Sequence, residues 1–152
     1  MSDITKCLSQ STSQWVLGGI HRRDTKNAFF VCIPDLNSET LLSTIAENIA
    51  PGSTIVSNQL PVYSGIANLK GYNYTHLTVN HSQNFVNPSN PSAHTQTIKS
   101  SWGHVKKIYR QMNGTSTALF PSYLDQFLFK KHYPSPSTFG NLLYWIGHCY
   151  PF

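Results

Sequence analysis

A mixed α/β fold, a sheet containing a hairpin with helices packed on it, is predicted by three features of this chain. Two runs rich in β-branched and aromatic residues, 14–21 (QWVLGGIH) and 27–33 (NAFFVCI), flank the turn-prone basic segment RRDTK and read as a hairpin. A helical apolar period follows and leads into a short buried strand. Further on, Ile98, Trp102, Val105, Tyr109 and Met112 recur at steps of three and four, the apolar face of a long helix starting near His94. With 152 residues, 39% hydrophobic and 12% aromatic, the chain is long enough for one packed core.

The elements follow in order. Residues 1–13 are polar and form a poorly defined N-terminal segment. Gly18 and Gly19, inside the first strand of the hairpin, require a bulge or a close backbone approach. Pro34 ends the second strand, and Asn37 or Ser38 caps a helix that buries Leu41, Leu42, Ile45 and Ile49. Asp35 and Glu39 lie near its start, where the helix dipole favours negative charge. Pro51 and Gly52 turn the chain into the strand 53–57 (STIVS), which ends at Asn58. Residues 60–69 hold a short helix or turns with Tyr63 and Ile66 inward, and 74–79 (YTHLTV) alternates as a strand. The polar stretch 80–93, with two prolines, reads as a loop over the sheet edge, and Gly114 stops the long helix. Pro121 opens a helix that turns Tyr123, Leu124, Phe127 and Leu128 inward, with Lys130, Lys131 and His132 at its end. After a break at 134–136, residues 138–148 (TFGNLLYWIGH) form an apolar helix packed across the domain or against a partner. The organisation is a domain over 1–133 and a C-terminal helical extension over 134–152.

Lysine and arginine outnumber aspartate and glutamate by 11 to 6, giving +5, a balance that favours anionic partners. The three cysteines, Cys7, Cys32 and Cys149, are far apart and form no CxxC, which excludes a zinc ribbon of ordinary spacing. No signal peptide and no apolar run of ~20 residues is present, so an intracellular protein, nuclear or cytoplasmic and not secreted, is expected.

The stretch VNHSQNFVNP…AHTQTIKSSWGHVKK resembles the core of the ISXO-type insertion-sequence transposases, whose eukaryotic relatives are the Merlin elements. Their usual pattern is close to VNHSxNFVDPxTGAHTNTIESLWSHLKR. The resemblance continues through QWVLGGIHR, VCIPDLNSETLLSTIAENIAPGSTIVSN and YSGI upstream, and GTSTALFPSYLDQFLFKKHY downstream. It implies an RNase H-like domain of the DDE superfamily, whose members cut and join DNA with Mg2+ or Mn2+ held by three acidic or amide side chains.

Residue by residue, the resemblance places Asp3 of SDITKC on the first family acid, Asn58 on the second and Lys99 of QTIKSSW on the third. An amide supplies no charge and an ammonium reverses it, so three negative charges become a net charge of zero. At about 4 Å from a divalent ion, an ammonium is repelled by roughly 8 kcal/mol at an effective dielectric of 20. The expectation is an inactive site with the metal lost and no cofactor, Lys99 taking the ion's place beside Asp3 and the Asn58 side-chain oxygen. His81, Asn84 and His94 fall in the family's loop motifs, and are expected to order that loop or touch substrate. DNA is the expected partner, contacted by Lys106, Lys107 and Arg110 on the long helix and by Arg22, Arg23 and Lys26 in the hairpin turn. Alternatives are a scaffold module with a homodimer or protein partner at the C-terminal helix, a residual metal-dependent nuclease, and a decaying transposon fragment. No membrane role is expected.

Overall fold

In chain order the elements are β1 (Ser2–Leu8), β2 (Trp15–His21), β3 (Ala28–Ile33), α1 (Ser38–Asn48), β4 (Thr54–Asn58), β5 (Thr75–Val79), β6 (Val86–Asn87), β7 (Asn90–His94), α2 (Gln96–Gln111), α3 (Phe120–His132) and α4 (Thr138–Cys149). This computed structural model describes residues 2–8, 14–79, 86–87, 90–111 and 115–150. Five strands form one sheet in the order β3-β2-β1-β4-β5. The pairs β1–β2 and β2–β3 are antiparallel, while β4 runs parallel to both β1 and β5.

The polar N-terminal segment therefore supplies the central strand. Its register with β2 is continuous, from Ser2 opposite His21 to Leu8 opposite Trp15, and it meets β4 at Ser2–Ile55 and Asp3–Val56. SDITKCL carries little strand propensity of its own; pairing on both edges holds it extended. The stretch expected as a loop carries a second small sheet, with β6 antiparallel to β7. Pro91 argued against a strand there, but in a two-stranded sheet both strands are edges and tolerate proline.

Helices cover both faces of the main sheet. On one face α1 packs Leu41 and Ile45 against Leu17, Ile33 and Ile55. Two 3-10 turns, Pro61–Tyr63 and Ile66–Asn68, complete this layer by burying Tyr63 and Ile66. On the other face α2 and α3 bring Ile98, Trp102, Val105, Phe120 and Leu124 onto Val16, Ile20 and Phe30. Burying an aliphatic side chain of this size contributes about 1.5–3 kcal/mol, so these two layers dominate stability. The α1 cap forms as its sequence suggests: Asn37 Oδ1 accepts from Thr40 N at 2.7 Å, and Asp35 Oδ1 accepts from Asn37 N at 3.1 Å. Asp35 is thereby accounted for as a turn residue. Tyr74 OH donates to Ile49 O at 2.6 Å and ties the start of β5 to the end of α1.

The β2–β3 register runs unbroken past Gly18 and Gly19, so the glycines mark a close approach and no bulge. A Cβ on Gly18 would lie 2.7 Å from Phe30 Cε1 and 2.9 Å from Trp102 Cζ2. Phe30 and Trp102 meet edge to face at 4.7 Å above it, the contact that seats α2 on the sheet. In contrast α4 contributes no buried residue.

Gly18→Ala should lower the unfolding free energy by about 1–3 kcal/mol, because the methyl forces the two rings apart. Gly103→Ala, where nothing lies within 4 Å of the added carbon, should raise it by about 0.5–1 kcal/mol through helix propensity. Urea unfolding of the two variants measures both signs.

Candidate functional site

The three positions singled out by the family motifs lie on β1, β4 and α2, with β1 paired to β4 and packed under α2. Asp3 stands on β1 beside Val56, and Asn58 ends the neighbouring strand β4 two residues further on. Lys99 is the fourth residue of α2, and that helix packs over β1 and β2. Asn58 Oδ1 is buried and accepts no hydrogen bond. The expected Lys99 contact is therefore not made to that oxygen: Lys99 lies exposed on α2, with its backbone N–H bonded to Thr95 O at 3.2 Å. An unsatisfied buried acceptor of this kind costs about 1–3 kcal/mol. The donor types at the three positions are one carboxylate, one amide and one ammonium.

The basic residues fall into two groups. Lys106, Lys107 and Arg110 are exposed on α2, whose opposite side is anchored by the buried Ile98, Trp102 and Val105. The helix contains no acidic residue, and Arg110 lies in its last turn, where the dipole also favours a cation. In the β2–β3 turn, Arg23 and Lys26 are exposed. Arg22 is half-buried, and its Nη2 donates to the carbonyl of His94, fastening the hairpin turn to the end of β7. His94 is half-buried with Nδ1 out of reach of any partner. His81 and Asn84 lie outside the described residues. Lys26 also borders an open cleft of about 590 Å³ with His21, Asn27, Asn48 and His132.

The model of the ISXO2-like transposase domain matches residues 4–132. The chain belongs to the ISXO2-like transposase family. A protein of Haemophilus influenzae described as an uncharacterized transposase-like protein is 28% identical over 98 residues, which is 64% of this chain and 75% of that one. Among solved structures, the catalytic core domain of BIV integrase superposes with a TM-score of 0.59 at 14% identity, over 85% of this chain and 80% of that chain. A chain of the simian T-cell lymphotropic virus intasome in complex with PP2A regulatory subunit B56 gamma gives 0.56 at 15% identity, over 85% and 46%. The fold is therefore RNase H-like.

Within this transposase domain, several long-range polar contacts carry no local signal in the sequence. Ser57 Oγ lies 2.8 Å from His76 Nε2 across the β4–β5 pair and 2.8 Å from Asn58 O. Ser57 is fully buried and His76 half-buried, and the pair braces the strand that carries Asn58. On the other face Lys131 Nζ donates to Ser101 Oγ at 3.4 Å and joins α3 to α2. Burial lowers the Lys131 pKa, and burial followed by the Asp125 charge raises that of the Cys32 thiol. Such pairings depend on strand register and helix packing, which only the assembled sheet fixes.

Burial holds the His76 pKa below its ordinary 6.5. The unfolded chain thus binds the proton first as pH falls, and the His76 contribution to stability, complete above 6.5, is lost on descending through the folded value. Urea midpoints measured from about pH 7.5 to pH 5 should fall with pH, and His76→Gln should flatten part of that slope.

Proposed function

We propose that this member of the family is a transposase-derived domain that binds duplex DNA through α2 and does not cut it. The observation that carries the reading is one helix with two chemistries. Its first turn sets Lys99 at a family ligand position, and its later turns expose Lys106, Lys107 and Arg110 without an acid among them. Magnesium and manganese want hard, negatively charged oxygens. When bound, such ions activate a nucleophile and stabilise the leaving oxygen of a phosphodiester. The donor set Asp3, Asn58 and Lys99 does not fit them, since its formal charges cancel and one member repels the ion. No cofactor is assigned to the domain on this reading, which makes it a pseudoenzyme.

Exposed cations on a rigid helix suit phosphate contacts, which position a protein on DNA without reading its sequence. Arg23 and Lys26 in the hairpin turn are further exposed cations, while Arg22 is engaged in part by the His94 carbonyl. A second role, docking of a protein partner at α4, is favoured by the exposure of Phe139, Leu143, Tyr144 and Trp145. Among the described residues no helix is long and apolar enough to cross a membrane.

One experiment tests the reading with two readouts. A labelled duplex is incubated with the natural chain in magnesium or manganese, and both retention and strand breakage are followed as salt is raised. Retention should fall steeply with salt, and Lys106→Glu/Lys107→Glu should weaken it and lower the salt slope by about 1 for each phosphate no longer neutralised. No breakage should occur. Metal-dependent cleavage by the natural chain, or retention indifferent to salt and to the charge reversal, refutes it.

A further inference from the structure

We infer that α4 is the seam of a symmetric dimer, paired with the α4 of a second copy of this chain. This names the occupant of the docking face described above, and rests on that reading. The helix buries none of its own residues, yet it consists largely of apolar side chains. At 100° per residue, Phe139, Leu142, Leu143, Ile146 and Tyr150 fall on one side, with exposures of 69%, 42%, 53%, 46% and 73%. Phe139 and Ile146 stand seven residues apart, as do Leu143 and Tyr150, which is the repeat of a helix–helix seam. Trp145 lies off this stripe, with Nε1 donating to Tyr133 OH at 2.9 Å, and Thr138 Oγ1 donates to Tyr133 O. These bonds fasten the helix to the end of α3 and leave the stripe turned away from that anchor.

Gly140 and Gly147 weaken a 12-residue helix by their backbone freedom, and among the described residues nothing lies within 4 Å of a Cβ at either position. A helix this short is marginal in water unless tertiary or quaternary packing covers it.

The chemistry of the helix selects the occupant. TFGNLLYWIGHC contains no Lys, Arg, Asp or Glu, so two copies meet there without like-charge repulsion despite the net +5 of each chain. DNA has no cation to bind on it. A membrane-surface helix would carry lysine or arginine on its polar side, and this one has neither. The stripe exposes on the order of 500 Å² per chain, so a symmetric pair buries about 1,000 Å², the size at which specific interfaces begin.

Sedimentation equilibrium of the full chain between about 1 and 100 µM, with hydrogen exchange of the α4 amides at both ends of that range, tests the inference. A monomer–dimer equilibrium is expected, with α4 protection rising as the dimer fills. Phe139→Lys/Leu143→Lys should be monomeric throughout with its urea midpoint kept, while Tyr144→Lys, on the far side of the helix, should still dimerise. A natural chain that stays monomeric overturns the inference: with α4 unprotected the docking face survives and takes another partner, and with α4 protected the docking reading falls as well. Dimers that persist in Phe139→Lys/Leu143→Lys, or that Tyr144→Lys disrupts equally, overturn it too.

Discussion

Pairing of β1 on both edges is the constraint from which the site follows. With β2 antiparallel on one side and β4 parallel on the other, Asp3 is fixed beside Val56, and Asn58 follows at the end of the next strand. Parallel pairing with β4 requires a crossover, and the hairpin and α1 supply it. The second requirement is that α2 lie across these strands. Trp102 provides this by stacking its edge on Phe30 over the space that Gly18 leaves open. Two contacts, one of backbone and one of aromatic rings, thus fix the elements that carry these positions relative to the sheet.

At two of these positions the residue type departs from the acids of the family pattern: Asn58 is an amide and Lys99 an ammonium. A pocket that holds divalent ions depends on concentrated negative charge, because hard cations surrender their hydration only to oxygens that carry it. An amide at the end of β4 and an ammonium in the first turn of α2 remove that charge while leaving the scaffold intact. The backbone frame around Asn58, braced by the Ser57–His76 pair, does not depend on the charge of the ligands. A fold does not by itself fix the chemistry of the site it carries.

Much of this was legible from the chain alone. The helical periods of α1, α2 and α3, the hairpin strands, the Asn37 cap and the inward Tyr63 and Ile66 all follow from spacing and residue type. β1 was not legible by pattern, since SDITKCL is held by its neighbours; only the motif resemblance singled out Asp3. Pro91 concealed β7 for the opposite reason, a local signal that edge pairing overrides. The site positions Asn58 and Lys99 came from motifs. The bond from Arg22 to His94, spanning 72 residues, and the Ser57–His76 pair could not be read, because no local pattern encodes long-range register. The apolar composition of α4 pointed to a covered helix, packed across the domain or against a partner, yet its large apolar side chains are exposed.

The reading proposed above requires that Asp3, Asn58 and Lys99 do not bind a divalent ion. Manganese titration of the folded chain, followed by paramagnetic broadening of the Asn58 and Lys99 resonances, addresses it most directly. The account predicts no selective, saturable broadening at these residues in the natural chain, and its appearance in Asn58→Asp/Lys99→Glu. Saturable broadening centred on Asn58 and Lys99 in the natural chain contradicts it.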